Sequence, residues 1–305
     1  MRPFLALLIY TVVVFVGGAL MAPGLWHLAQ WGAHLFPGHF YEGLAHCPFH
    51  RFMDRAFLIL ALTGLWPLLR ILGVRSWKDL GLVSPAGQWG KLLGGLGAGF
   101  ITLGLVALLA VAVGGRPLVH AIGLARMTGI FFSALGTAAV VALLEEVLFR
   151  GGIFNGLRRV MWWPVALTIA SLIYALVHFL QHGEVTGAAH WNSGLALLPA
   201  MLAGFADFPT LVPGFFSLTL AGLLLGLAYQ KTGTLYFSIG MHGGWIFWLK
   251  FYRAFTTDVP AATTWLWGTG KLIDGWAAFF VLLLALAVVC RFRLPAKNAT
   301  LAMSS

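Results

Sequence analysis

Apolar residues are grouped along the chain in long runs, and the Lys and Arg residues lie mainly at the ends of these runs. Most runs approach the roughly 20 residues that an α-helix needs to cross the hydrocarbon core of a bilayer. The pattern therefore predicts an all-α fold, a polytopic transmembrane helical bundle with about eight spans. The predicted spans lie near residues 4–22, 56–73, 91–114, 130–157, 164–181, 214–230, 234–252 and 276–292.

A shorter apolar stretch at residues 195–208 does not fit the spanning pattern. It is interrupted by Asp207, Pro209 and Pro213, and a proline inside a helix removes a backbone hydrogen bond. We therefore expect a re-entrant or interfacial segment here rather than a ninth span.

Composition supports a membrane protein and excludes a soluble domain. The 305 residues are 60% hydrophobic and only 9% charged, against roughly 25% charged residues in ordinary soluble domains. The net charge of +10 is distributed over span ends rather than along one stripe, so no nucleic-acid partner is expected, and the lipid bilayer is the expected surrounding. We expect a multi-pass integral protein of a bacterial cell membrane.

Three charged residues interrupt the fourth predicted span. Glu145, Glu146 and Arg150 lie in an otherwise apolar sequence, where each charge costs roughly 2.5 to 3.5 kcal/mol on insertion scales. Positions four apart share a helix face, so Glu146 and Arg150 are predicted to form a structural ion pair. Glu145 points about 100° away and is the candidate general base. A helix-packing cluster of all three residues is the alternative.

Three further polar residues fall in later spans at similar depth. Tyr174 and His178 lie four residues apart in the fifth span, and His242 lies in the seventh beside glycines. Counted from Leu157, Pro164 and Thr234 respectively, Glu145, His178 and His242 lie roughly 18, 21 and 12 Å deep at 1.5 Å per residue. All three depths are near the middle of a core about 30 Å thick. One intramembrane site is therefore predicted.

A carboxylate and two imidazoles inside a bilayer suit the activation of water. A base takes the proton, and imidazole donors stabilise the developing oxyanion. The same groups, with His182 one turn beyond His178, could instead bind a metal such as zinc. Because no second convincing carboxylate or cysteine lies at that depth, we expect no cofactor and keep zinc as the alternative.

The motif order resembles that of the CAAX protease and bacteriocin-processing (CPBP) family, which includes the type II CAAX prenyl endopeptidases. The resemblance covers residues 130–250 and divides the chain into N-terminal transmembrane helices and loops (1–129), a CPBP-like catalytic helical core (130–250), and a C-terminal helix with a basic tail (251–305). The residues that carry the resemblance are Glu145, Glu146 and Arg150, then Tyr174 and His178, and then His242.

The resemblance implies an intramembrane endopeptidase that hydrolyses membrane-associated or lipid-modified, CAAX-like proteins or peptides. It also implies that Glu145 and His178 activate water, that His242 helps to form the oxyanion site, and that Glu146, Arg150 and Tyr174 support them. Two positions depart from the family pattern: Tyr174 stands where Phe is usual, and Ile246 stands where Asn is usual.

The departure at Ile246 bears on activity, because an apolar side chain cannot donate to an oxyanion. Activity could be weakened, or Tyr174 or Trp245 could supply the donor instead. A non-catalytic membrane scaffold or immunity-type relative is therefore the alternative function. Transport is a third reading, since buried ionisable groups also mark proton paths.

Overall fold

The computed structural model describes residues 2–36, 38–118, 123–181, 183–185, 187, 189–257 and 263–291. Within these residues every named element is helical, and the one β contact is an isolated antiparallel bridge between Leu118 and Thr256. The predicted all-α fold is therefore confirmed.

The helices are α1 (Arg2–Val12), α2 (Gly18–Leu35), α3 (His39–Ala45), α4 (Phe49–Ile71), α5 (Trp89–Ala112), α6 (Leu124–Glu146), α7 (Asn155–Leu157), α8 (Trp163–Val177), α9 (Ser193–Leu197), α10 (Phe208–Thr232), α11 (Tyr236–Phe255), α12 (Thr264–Trp267) and α13 (Trp276–Arg291). Two π-helical segments, Val13–Gly17 and Val147–Phe154, and one 3₁₀ helix, Ala200–Ala206, complete the order.

The predicted spans coincide with helices. In the described part of the chain, five stretches are long and apolar enough to cross a membrane by length and composition, so the chain is a polytopic helical membrane protein. The other three predicted spans overlap α8, α11 and α13, which are 15, 20 and 16 residues long, and the number of eight stays a prediction. The five stretches are Phe4–Leu35, Phe49–Ile71, Trp89–Ala112, Leu124–Leu157 and Phe208–Thr232.

Prolines interrupt these helices less than the sequence suggested. The first stretch does not end near residue 22 but continues through the buried Pro23 to Leu35. Likewise, the break expected at Pro213 is wrong, because Pro213 lies inside α10. Pro209 occupies the first turn of that helix, where a proline removes no intrahelical hydrogen bond. Transmembrane helices tolerate internal prolines when neighbouring groups cover the freed carbonyl.

The chain folds into two compact units, residues 1–75 with 179–207 and residues 76–178 with 208–305. The first unit contains α1 to α4, α9 and the 3₁₀ helix. The three regions predicted from the sequence describe motif content rather than packing and stay a prediction. The apolar core of the first unit consists of Ala19, Ala22, Phe49, Met53, Ala56, Ala189, Leu197 and Met201.

In the second unit, α5 and α11 lie unusually close together because glycines face the opposing backbone. A Cβ added at Gly99 of α5 would collide with the carbonyl oxygen of Met241, and one at Gly240 of α11 would collide with that of Leu92. Small residues allow membrane helices to approach closely in this way. The contact fixes the part of α11 that carries His242.

The end of α6 widens into the π-helical segment Val147–Phe154, which begins directly after Glu146. Single π turns inside α-helices occur frequently at functional sites. Residues 149 to 154 of this segment are all buried. Arg150 is therefore held inside the second unit, one turn from the two glutamates.

Candidate active site

The six predicted site residues belong to three helical regions of the second unit. Glu145 and Glu146 end α6 and Arg150 lies in the π segment. Tyr174 lies in α8, and His178 is the C-cap residue that directly follows the last residue of this helix. His242 lies in α11. Their side chains are brought together through the contacts described below, although their catalytic roles stay predictions.

Glu146 and Arg150 form the ion pair that the four-residue spacing predicted. Arg150 Nη1 donates to Glu146 Oε1 over 2.8 Å, and the two side chains are 3% and 0% exposed. Removing either partner from such a buried pair would leave an uncompensated charge. The pair therefore contributes strongly to whether this part of the chain folds.

Glu146 also contacts His242, which the sequence did not indicate. His242 Nδ1 lies 2.9 Å from Glu146 Oε1. Because a carboxylate paired with Arg150 accepts hydrogen bonds, Nδ1 of His242 carries the proton and donates. Glu146 thus fixes both the ring orientation and the tautomer of His242. The contact joins α6 to α11 across 96 positions, so no local spacing could have predicted it.

Glu145 has a different environment from its neighbour. Its Oε2 atom lies 3.8 Å from His242 Nε2 and 4.0 Å from His178 Nε2. No described residue donates a hydrogen bond to this buried oxygen, whereas the side chain as a whole is 27% exposed. Separations near 4 Å are too long for direct hydrogen bonds and suit groups that share a third atom between them.

His178 is oriented by the backbone of its own helix. Its Nδ1 lies 2.7 Å from the carbonyl oxygen of Tyr174. A carbonyl only accepts, so Nδ1 carries the proton, and Nε2 of the neutral ring is the unprotonated nitrogen. This nitrogen faces Glu145. The side chain is 26% exposed, so the Glu145–His178 side of the site is partly open.

Tyr174 lies between the other groups. Its side chain is buried, its hydroxyl is 3.5 Å from His242 Nε2, and its ring centroid is 4.4 Å from that of His178. The Arg150 guanidinium lies 4.5 Å from the ring centroid, within cation–π distance. The ring is thus fixed on two sides, and its hydroxyl points toward the nitrogen of His242 that faces Glu145.

Ile246, which lacks a donor, and Trp245, one of the two alternative donors, have different surroundings near His242. Ile246 is partly buried against the apolar residues Ala134, Ala138 and Phe247. Trp245 is buried, and its indole Nε1 donates to Thr102 Oγ1 over 2.8 Å. Trp245 therefore already has an acceptor outside the site.

Zinc was the alternative that the sequence offered for this site. Among the described residues, no group of three or more His, Cys, Asp or Glu side chains is arranged to hold a metal ion. His182, the further ligand considered for this site, lies outside the described residues. Independence from cofactors and the zinc alternative both stay predictions.

Fold and site together define the class: a polytopic helical membrane protein with a carboxylate and imidazole cluster between its helices. Residues 127–248 match the family model described as type II CAAX prenyl endopeptidase Rce1-like. This match contains all six site residues and supports the resemblance to the CAAX protease family. No curated protein and no solved structure matches the chain.

Proposed function

We propose that this chain is an intramembrane endopeptidase that hydrolyses peptide bonds of membrane-associated or lipid-modified, CAAX-like proteins or peptides. The family match supports a CAAX-type membrane protease in general. The observation that carries the finer proposal is the position of Glu145 Oε2, within 4.0 Å of the Nε2 atoms of both His178 and His242. A bacterial cell membrane is the proposed location.

The open side of the site activates water. A water molecule held between Glu145 and His178 gives one proton to Glu145 Oε2 or to His178 Nε2, since both atoms are acceptors. Its oxygen attacks the carbonyl carbon of the substrate. The carbonyl oxygen then takes up the negative charge of a tetrahedral intermediate.

The buried side stabilises that charge. His242 receives support from Glu146 through Nδ1, and its Nε2 faces the reacting groups, as the 3.8 Å separation from Glu145 indicates. In the proposed reaction the His242 ring carries a proton on both nitrogens from the start, and the Glu146 carboxylate stabilises this form. The ring donates through Nε2 to the oxyanion and keeps its proton when the intermediate collapses. Arg150 holds Glu146 in place.

Collapse of the intermediate completes the reaction. The carbon–nitrogen bond breaks, and the proton taken from water passes to the leaving amine, so that the base is restored. The products are a new carboxyl terminus and a new amine. The electrostatic interactions of these reaction steps are strengthened because the membrane and the protein exclude bulk water.

The experiment is a cleavage assay with purified protein in liposomes. The panel contains prenylated and unprenylated peptides that end in a CAAX sequence, together with the same sequences placed internally, and products are identified by mass spectrometry. We expect cleavage by the wild type that is lost in Glu145→Ala and kept in Glu42→Ala, which removes an exposed carboxylate of α3. Equal cleavage by wild type and Glu145→Ala would remove the proposed mechanism.

A further inference from the structure

The site lacks a side-chain donor at position 246. Ile246 carries no polar side-chain atom and packs against an apolar cluster of α6 and α11. One correctly aimed oxyanion donor is typically worth about 10² to 10³ in rate. A second donor beside His242 would therefore have to come from another position of the chain.

Trp245 does not supply this donor. Its single N–H group is used in the hydrogen bond to Thr102 of α5, and an indole has no other donor. Breaking that bond would leave the buried N–H group without its acceptor, whereas the Thr102 hydroxyl would keep its hydrogen bond to the carbonyl oxygen of Ala98. The indole instead ties α11 to α5.

The hydroxyl of Tyr174 is the neutral donor that faces the reacting side of His242. It lies 3.5 Å from His242 Nε2, the same nitrogen that is 3.8 Å from Glu145 Oε2. An oxygen of the substrate that approaches this nitrogen therefore comes within reach of the Tyr174 hydroxyl. That separation is at the long end of the hydrogen-bond range, so the hydroxyl is free to turn toward a better acceptor.

Neighbouring side chains hold the ring of Tyr174 in place. The Phe149 ring packs edge-on against it at a centroid distance of 5.1 Å, and the Arg150 guanidinium lies over its face. Donors that need no rearrangement during the reaction contribute most to catalysis. A phenylalanine would preserve these ring contacts and remove only the hydroxyl.

We propose that Tyr174 is a catalytic residue, whose hydroxyl donates to the oxyanion beside His242 and takes the place of the donor that Ile246 lacks. This proposal rests on the proposed endopeptidase function. The hydroxyl at position 174 thereby supplies a donor that the apolar side chain at position 246 cannot supply.

The first measurement compares Tyr174→Phe with Tyr229→Phe. Tyr229 is a matched control because it is also buried and lies under a guanidinium, that of Arg158 at 5.0 Å from the ring centroid. Tyr174→Phe is expected to lower kcat about 10²-fold with little change in KM, per folded molecule, because the donor acts only in the transition state. Tyr229→Phe is expected to keep the wild-type kcat.

The second measurement introduces Ile246→Asn in both backgrounds. In Tyr174→Phe the amide is expected to restore kcat at least tenfold, whereas in the wild type the gain is expected to stay below about threefold, since a donor already serves. Two results would overturn the assignment of Tyr174: equal gains in kcat from Ile246→Asn in the two backgrounds, or a kcat of Tyr174→Phe equal to that of the wild type. Either result would leave the endopeptidase proposal intact as long as cleavage still requires Glu145. Equal cleavage by the wild type and Glu145→Ala would overturn both the endopeptidase proposal and the assignment of Tyr174.

Discussion

The two sides of the candidate site differ in burial and in the groups that their carboxylates contact. On the buried side, Glu146 is fully enclosed and its Oε1 atom accepts hydrogen bonds from Arg150 and His242. Glu146 Oε2 and Arg150 Nη2 have no hydrogen-bond partner among the described residues. On the open side, Glu145 and His178 are about one-quarter exposed, and Glu145 Oε2 receives no hydrogen bond from any described residue. Adjacent residues of one helix can therefore serve opposite purposes, one holding the fold and the other left available for chemistry.

This difference has a simple geometric origin. Successive residues of a helix project about 100° apart, so Glu146 faces the interior of the second unit while Glu145 faces the two imidazole Nε2 atoms. The buried carboxylate is balanced by a guanidinium one turn away. Equal chemical changes at Glu145 and Glu146 are therefore expected to have unequal effects on activity and stability.

The largest expected effect is on catalysis, from Glu145→Gln. We expect kcat to fall about 10³-fold, in the range of a lost general base, while the thermal unfolding midpoint stays within error. The amide keeps the shape of the side chain, and no hydrogen bond to Oε2 is lost. The measurement is kcat per folded molecule beside a thermal scan. A kcat within tenfold of wild type would contradict the role of Glu145.

The next effect is on stability, from Glu146→Gln. The substitution leaves Arg150 buried without its counter-charge, which is expected to cost about 3 to 5 kcal/mol and to lower the yield of folded protein. The measurement is monodisperse protein recovered after extraction from membranes.

The matched control for that experiment is Glu146→Gln combined with Arg150→Met. Replacing both members of a buried ion pair by groups without charge is often nearly neutral, so yield is expected to recover without activity. An unchanged yield in the single variant would show that the pair does not hold this region together.

A smaller effect is expected from the close contact that positions His242. Gly99→Ala places a Cβ against the carbonyl oxygen of Met241, next to His242 in sequence, and such overpacking costs about 1 to 3 kcal/mol. Gly97→Ala is the control on the same helix, since a Cβ there meets no atom within 4 Å. We expect a lower unfolding midpoint and a lower kcat only for Gly99→Ala. Equal effects of the two substitutions would argue against the contact.

Much of the fold could be predicted from the sequence because membrane helices are local structures. Each apolar run coincides with a helix, since chain length and hydropathy decide where a span can form. The helix ends were less accurate, as the continuation through Pro23 shows. Whether a proline ends a helix depends on what covers the freed carbonyl, and a single sequence does not contain that information.

The candidate site likewise has a part that local spacing predicted and a part that it could not predict. The Glu146–Arg150 pair followed from a four-residue spacing, and depth alone brought Glu145, His178 and His242 to a common level. The bond from Glu146 to His242 and the separate partner of Trp245 could not be predicted, because each joins helices far apart in sequence. Such contacts depend on how α11 packs against α5 and α6.

The most direct test of the central claim is a double-mutant cycle on the open side, with single-turnover rates per folded molecule for Glu145→Gln, His178→Gln and the double variant. If both residues act on one water molecule, their losses are not additive. We predict that the single-turnover rate of the double variant lies within about threefold of the rate of Glu145→Gln. A double variant whose loss equals the product of the two single losses would show that Glu145 and His178 act independently, and would contradict a shared water.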